Sequence, residues 1–240
     1  MKLGKEAMEA LRAEVTGLLA PGDELVAVGA AALSGTVLLA HHEYGKLRKF
    51  FSEGFLYNCL NLERDYGTVH VVCPEAEEEQ PEGVREISEG RNSKRNRVWR
   101  MAEEAGANAL LAMGEGGVLS ALWKMAEASQ VGLLADLRRI PIRQETIEIC
   151  ECFNLNPYYL LSDGALLIGI PSGEGLVQDY RRLGLPAAVI GHTNNGNDRL
   201  LYSGGNVRYL DRPARDEIYK MNWYEKTKNP AGKEHEKWQD

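Results

Sequence analysis

Apolar residues along the chain follow two periods, one helical and one alternating, and the switches between them mark the elements. In the first twenty residues Met8, Leu11, Val15, Leu18 and Leu19 fall on one stripe. Pro21-Gly22 follows as a stop, so an amphipathic helix is expected over residues 1–20. Glu24-Leu-Val-Ala-Val28 reads as a strand. The small-residue stretch Gly29 to Gly35 then leads into a helix carrying Thr36, Val37, Leu38, Leu39, Leu47 and Phe50. Thr68-Val-His-Val-Val-Cys73 alternates and is β-branched, which suits a strand ended by Pro74.

After a helix near Val98 to Ala105 the pattern becomes regular. The strand Ala109 to Met113 is followed by the turn Gly114-Glu-Gly-Gly117 and a helix from Val118 to Ala128. A strand over Gly132 to Asp136 and a helix after Pro141 come next. Ala165 to Ile170 reads as a strand, Gly175 to Leu183 as a helix and Ala187 to Ile190 as a strand. Leu200 to Tyr202 and Val207 to Leu210 close a hairpin across Gly204-Gly205. The expected fold class is α/β, a layered α/β/α domain with a mixed sheet. One helix (1–22) precedes the domain (23–212) and a charged tail (213–240) follows it. The tail is nearly free of aliphatic residues, and it docks if Ile218, Met221 and Trp223 find a groove. Residues from about 75 to 96 are poor in apolar side chains and are expected to form a mobile loop.

Composition narrows the function classes. At 240 residues the chain is long enough to bury a core without staples. No apolar run is long enough to span a bilayer, so no membrane role is expected. A net charge of -7 argues against nucleic acid as a partner, which would call for a basic face. The basic run Arg91 to Arg97 follows the acidic Glu75 to Glu79 and reads as part of a solvated loop. Cys59, Cys73, Cys150 and Cys152 lack the paired spacing of a zinc site and are expected to be reduced thiols of a cytoplasmic protein. Cys150 and Cys152 would lie about 200° apart on a helix, which disfavours a bridge between them.

An ordered series of motifs carries more information than any of these. Glu115-Gly-Gly-Val-Leu-Ser-Ala-Leu-Trp-Lys-Met-Ala-Glu-Ala-Ser129 is followed by Ile140-Pro-Ile-Arg-Gln-Glu-Thr-Ile-Glu-Ile-Cys150. Asn154-Leu-Asn-Pro-Tyr158, Leu161-Ser-Asp-Gly-Ala-Leu-Leu-Ile168 and Ala188-Val-Ile-Gly191 complete it. In this order and spacing the motifs resemble the carboxy-terminal domain of the AIR synthase (PurM-like) superfamily, and bacterial AIR synthase-related or hydrogenase maturation factor proteins most of all. A fainter match at Leu33-Ser-Gly-Thr-Val-Leu-Leu-Ala40 extends the resemblance over most of residues 24 to 212.

The resemblance implies the PurM C-terminal type of fold and a place in ATP-dependent phosphoryl transfer, with Mg²⁺ held by carboxylates of an amino-terminal domain. Before Glu24 there is room for only one helix, and Asp23-Glu24 reads as a strand entry. No metal site, no catalytic residue and no cofactor are therefore expected in this chain, and Mg-ATP would enter only if a partner supplied the missing domain. Family members generally dimerise, so a homo-oligomer or a separate ATP-binding chain is the expected partner. The carboxy-terminal cysteine of the nitrile-forming maturation protein has no counterpart in Lys237-Trp-Gln-Asp240.

The expected site holds a small phosphorylated ligand. Gly114, Glu115, Gly116 and Gly117 lie between a strand and a helix, where backbone N–H groups and the helix dipole accept an anion. The same glycines would equally serve a tight turn and close packing. The family pattern usually carries an Asp and a Thr just ahead of them, where this chain has Ala112 and Gly114. Ser162, Asp163 and Gly164 resemble a family turn facing the same cleft, and Asp163-Gly164 is also an ordinary turn pair. His192, at a strand's end, is a candidate acid or base, or a plain loop histidine. His41-His42-Glu43 has metal-ligand composition without the spacing, and Gly175 and Gly184 make no P-loop. The expected function is a stand-alone substrate-binding or assembly module, with a split ATP-dependent enzyme as the alternative.

Overall fold

The computed structural model describes residues 3–68, 97–213 and 215–228, with no account of the side chains of 226–228. The strand expected over Thr68–Cys73, the loop expected near 75–96 and Cys73 lie outside the described residues, Thr68 excepted.

In chain order the elements are α1 (Lys5–Glu14), β1 (Thr16–Gly17), β2 (Glu24–Val28), α2 (Leu33–His42), α3 (Tyr44–Leu47), α4 (Glu53–Leu60), α5 (Leu62–Tyr66) and α6 (Arg97–Glu104). They continue with β3 (Ala109–Ala112), α7 (Gly117–Ser129), β4 (Gly132–Asp136), α8 (Gln144–Cys152), β5 (Leu166–Ile170), α9 (Glu174–Arg182) and β6 (Ala187–Asn194). β7 (Arg199–Ser203), β8 (Asn206–Tyr209) and α10 (Asn222–Lys228) complete the series. Among the described residues the strands form one eight-stranded sheet in the order β1-β3-β5-β2-β6-β4-β7-β8. The β4–β7 pairing is parallel, and each of the other neighbours is antiparallel.

Alternation along the central strands divides the core between the two faces of the sheet, as a period of two requires. Leu25, Ala27, Leu111, Leu133 and Leu167 pack with Leu119, Leu122 and Met125 of α7 on one face. Val26, Val28, Leu110, Ile168 and Val189 pack with Trp99 of α6 and Val177 and Tyr180 of α9 on the other. The α/β/α layering and the mixed sheet follow from this two-sided burial. A third cluster joins Leu39, Leu56 and Ile149 of the helical region α2 to α8 with Ile218 and Tyr224 from the last described segment. The described part of the charged tail therefore docks, through a short 3₁₀ turn at Glu217–Lys220 and α10.

Three local expectations fail for physical reasons. The first helix stops at Glu14, because Val15 turns extended and Thr16–Gly17 pairs with β3. Leu11, Val15 and Leu19 are buried while Leu18 is 48% exposed. The helix expected through Leu47 and Phe50 breaks after His42 into a separate short helix, and Phe50 is exposed. His192 does not sit in a loop. β6 runs on to Asn194, since Gly191 to Asn194 pair with β4. A register shift opposite Leu25/Val26 lets β6 serve both neighbours. At Gly191 a Cβ would stand 2.2 Å from the Leu134 carbonyl oxygen, so only glycine admits this close approach.

Candidate functional site

The glycine turn and the Ser162 turn meet at one end of the sheet. β3 and β5 pair directly, with Ala112 opposite Leu166, so the chain leaving β3 and the chain entering β5 lie side by side. Two backbone bonds join them: Met113 N donates to Ala165 O at 2.8 Å and Ser162 N donates to Gly114 O at 3.2 Å. A Cβ added at Gly114 would stand 3.5 Å from Asp163 Oδ1, an ordinary contact. A cavity of about 330 Å³ opens there, bounded by Glu115, Gly117, Asp163 and Gly164, with Ser120 and Lys124 of α7 on one wall. Lys124 Nζ is paired with Glu14 Oε2 at 2.6 Å. A second cavity, of about 480 Å³, shares Glu115 and Asp163 and is completed by Ser34, Glu63, Leu161 and Tyr224.

Each sequence-predicted residue takes a distinct part. Gly116 and Gly117 both have positive φ, 82° and 63°, and start α7 from a left-handed corner. At Gly117 a Cβ would lie 2.5 Å from Tyr158 O and 2.8 Å from Leu160 O, so this glycine is required by packing. Ser162 is fully buried. Its hydroxyl donates to Leu160 O and accepts from Ala32 N, both at 2.8 Å, so it holds the turn rather than facing a ligand. Ala32 itself sits at φ 60°, an uncommon conformation for a residue with a Cβ. Glu115 accepts from Tyr219 Oη at 3.2 Å. His192 is exposed, paired with Glu24 and Leu134. Ala187 marks the cleft end of β6, so His192 lies about 17 Å along the strand from it and does not line the cleft.

Two contributors escaped the sequence. Ser34, at the start of α2, accepts from Asp163 N at 2.9 Å and donates to Leu161 O at 3.0 Å, which fixes the direction of the Asp163 turn. The fainter Leu33-Ser34-Gly35 match was its signal. Asp216 had none. Its Oδ2 accepts from Gly116 N at 2.5 Å and its Oδ1 from Ile218 N at 2.8 Å, so the amide expected to greet an anion is held by the chain's own carboxylate. Burial pushes the Asp216 carboxyl up and nearby Glu217 adds to this, while hydrogen bonds at Ile218, Gly116 and Leu161 oppose it.

Among the described residues no group of three or more His, Cys, Asp or Glu side chains stands where it would hold a metal ion. No helix among the described residues is long and apolar enough to cross a membrane. His42 stacks on Trp223 with ring centroids 4.0 Å apart, so it serves the docking of the last segment.

The carbamoyl dehydratase HypE of Rhodobacter capsulatus is 29% identical over 125 residues, 49% of this chain and 37% of that protein. A putative hydrogenase expression/formation protein of Methanocaldococcus jannaschii is 28% identical over 116 residues, 46% of this chain and 35% of that protein. The matches thus span little more than a third of these curated relatives. Among solved structures, E. coli HypE, a hydrogenase maturation protein, superimposes with a TM-score of 0.58 at 20% identity over 82% of this chain and 52% of that one. HypE in complex with ATP gives 0.55 at 16% identity, over 83% and 53%. These likenesses establish the fold. The family model for the AIR synthase related protein, C-terminal domain, matches residues 20–202, well over half of the chain; the chain belongs to that family.

Proposed function

We propose that this chain is an AIR synthase-related binding or assembly module that takes a small phosphorylated ligand in the cleft between Gly114–Gly117 and Asp163–Gly164. The observation that carries this is the convergence of two family motifs on one cavity, joined by the Ser162 N to Gly114 O bond. A phosphate suits the start of α7, where the helix dipole and a left-handed glycine pair favour negative charge. The carboxylates of Glu115 and Asp163, which line the same cavity, suit hydroxyl or amino groups on the rest of the ligand. The module works in the cytoplasm as an oligomer or with a partner, and it does not complete an ATP-dependent reaction by itself.

A second reading has one observation in its favour. HypE, whose fold this chain shares over about half its length, has been solved both with ATP and in complex with HypF. On that reading a separate ATP-binding chain docks here and restores phosphoryl transfer.

Calorimetric titration of phosphorylated metabolites and of Mg-ATP, with thermal shift alongside, tests both, since any ligand of the native state raises its apparent stability. Binding of a phosphorylated metabolite that is lost in Asp163→Ala supports the module. Micromolar binding of Mg-ATP to the chain alone would overturn it in favour of a self-sufficient enzyme.

A further inference from the structure

We infer that Ser120 and Lys124 of α7 are the anion-binding pair of the first cavity and hold the phosphate group of a phosphomonoester. The inference rests on the assignment of a phosphorylated ligand to that cleft, and names the side chains that grip it.

Gly117, Ser120, Ala121 and Lys124 stand at helical positions i, i+3, i+4 and i+7 and form one stripe of α7 along the cavity wall. Ser120 is the unusual member. Only 3% of it is exposed, yet its hydroxyl has no hydrogen-bond partner among the described residues. A buried helical hydroxyl can donate to the carbonyl four residues back, as Thr36 Oγ1 does to Ala32 O at 2.7 Å. The Gly116 carbonyl accepts the Ser120 amide at 3.2 Å, but not the hydroxyl. A Cβ at position 116 would stand 2.8 Å from Ser120 Oγ, so glycine there keeps the hydroxyl uncovered. A buried polar group without a protein partner calls for one from outside, and a hydroxyl lining a cavity can donate its proton to a phosphate oxygen.

Lys124 supplies the charge. It is the only cationic side chain among the described residues that line this cavity. It follows Ser120 by one turn, and because Cα–Cβ bonds lean toward the start of a helix, its stem sets out toward the hydroxyl. Glu14 Oε2 accepts from the ammonium at 2.6 Å and holds it at the cavity wall, and the remaining N–H groups serve a ligand. The turn amides are not rival donors, since Gly116 N is bonded to Asp216 and Gly117 N to Gly114 O. Glu115 and Asp163 line both cavities and so mark their junction, whereas Ser120 and Lys124 line the first alone. The phosphate of the ligand therefore sits on α7, and its hydroxyl or amino groups at the junction. One ammonium facing the carboxylates of Glu14, Glu115 and Asp163 matches a single phosphate group rather than a polyphosphate chain.

Thermal shift and calorimetry on the full chain, with inorganic phosphate as the probe, test this. The same comparison is made with any phosphorylated metabolite that binds the parent. Ser120→Ala should weaken binding roughly tenfold, because a hydrogen bond to a charged group is lost. Its urea midpoint without phosphate should equal or exceed the parent's, since no bond within the protein breaks and alanine favours the helix. A hydroxyl with a merely structural role would show the reverse. Lys124→Met should abolish binding and Lys124→Arg should retain it, with little change in stability because the pair with Glu14 is partly exposed. If the parent, Ser120→Ala and Lys124→Met bind alike, the pair is overturned while the cleft assignment stands. If neither inorganic phosphate nor any phosphorylated metabolite binds the parent, both are overturned.

Discussion

Gly116 donates its N–H to Asp216 Oδ2 at 2.5 Å across 100 residues of sequence, tying the last described segment to the start of α7. The contact explains how a segment with so few aliphatic residues becomes ordered. One buried carboxylate bonds the amides of Gly116 and Ile218 and the backbone at Leu161, and the apolar seat is supplied by Ile218 at 0% and Tyr224 at 8% exposure. Each amide bonded to an ionised group contributes about 1.5–3 kcal/mol net, enough to offset much of the desolvation of one carboxylate.

Docking of residues 215–225 is expected to depend on pH with a definite sign. Burial raises the Asp216 carboxyl in the docked state, so that state binds a proton more readily than the undocked segment. Docking is therefore strongest below the ordinary carboxylate range and weakens as pH rises through the raised value. Exchange of the 217–224 amides, corrected for intrinsic rates, should be slower at acidic pH, below the ordinary carboxylate range, than near neutrality. Asp216→Asn should flatten the profile. Faster exchange at the lower pH would mean that the hydrogen bonds to the ionised form outweigh its burial.

The two ends of the glycine turn should respond differently to the smallest substitution. Gly117→Ala forces a left-handed alanine, costing about 1–2 kcal/mol, and drives its Cβ toward two carbonyl oxygens. A total loss of roughly 3 kcal/mol or failure to fold is expected in urea denaturation. Gly114→Ala meets only Asp163 Oδ1 at ordinary contact distance and should stay within about 0.5 kcal/mol of the parent. Gly114 is thus the position at which to narrow the cleft without disturbing the scaffold.

Much of the scaffold was legible from the sequence, and the reason is periodicity. β2, β4 and β5 and helices α7 and α9 have uninterrupted patterns bounded by glycine or proline, and their ends fall within two residues of expectation. The meeting of the Gly114 and Ser162 turns was legible as motif order, because sheet pairing turns that order into adjacency. The break after α2, the early end of α1 and the extension of β6 were not, since each is set by a neighbour distant in sequence. Asp216 was the least legible. A single carboxylate in a charged segment has no pattern, and only the three-dimensional position of Gly116 gives it a partner.

Ser162→Ala should cost stability. The hydroxyl bridges Ala32 N and Leu160 O inside a fully buried turn, and its removal leaves both without that partner. A loss of about 1–3 kcal/mol is expected. Because Ala32 is held at φ 60° partly through this bond, the variant should also increase exchange at the start of α2, which hydrogen exchange would show directly.

The thiols should separate by reactivity. Burial pushes Cys59 and Cys150 up to about 12, while Cys152 is exposed. Since the thiolate is the nucleophile, iodoacetamide at pH 8 should alkylate Cys152 well before Cys59 and Cys150, as peptide mapping by mass spectrometry would reveal. Equal rates at Cys59 and Cys152 would mean that α4 opens locally on the time scale of labelling.

A nearly buried ion pair lies remote from the cleft. Arg199 Nη2 lies 2.6 Å from Glu127 Oε2, with side chains only 15% and 10% exposed, and the guanidinium stands over the Trp123 ring. Arg199 Nε is buried without a hydrogen-bond partner among the described residues, so the guanidinium depends heavily on Glu127. Glu127→Ala strands that charge between α7 and β7 and should cost about 3 kcal/mol. Removing both charges, in Glu127→Leu with Arg199→Met, replaces the pair by apolar volume and should recover most of the loss, because desolvation of both ions is then avoided. A double-mutant cycle in urea measures the coupling directly. A single-variant loss below about 0.5 kcal/mol would show that water reaches Arg199 when Glu127 is gone, and that the pair contributes to orientation rather than to stability.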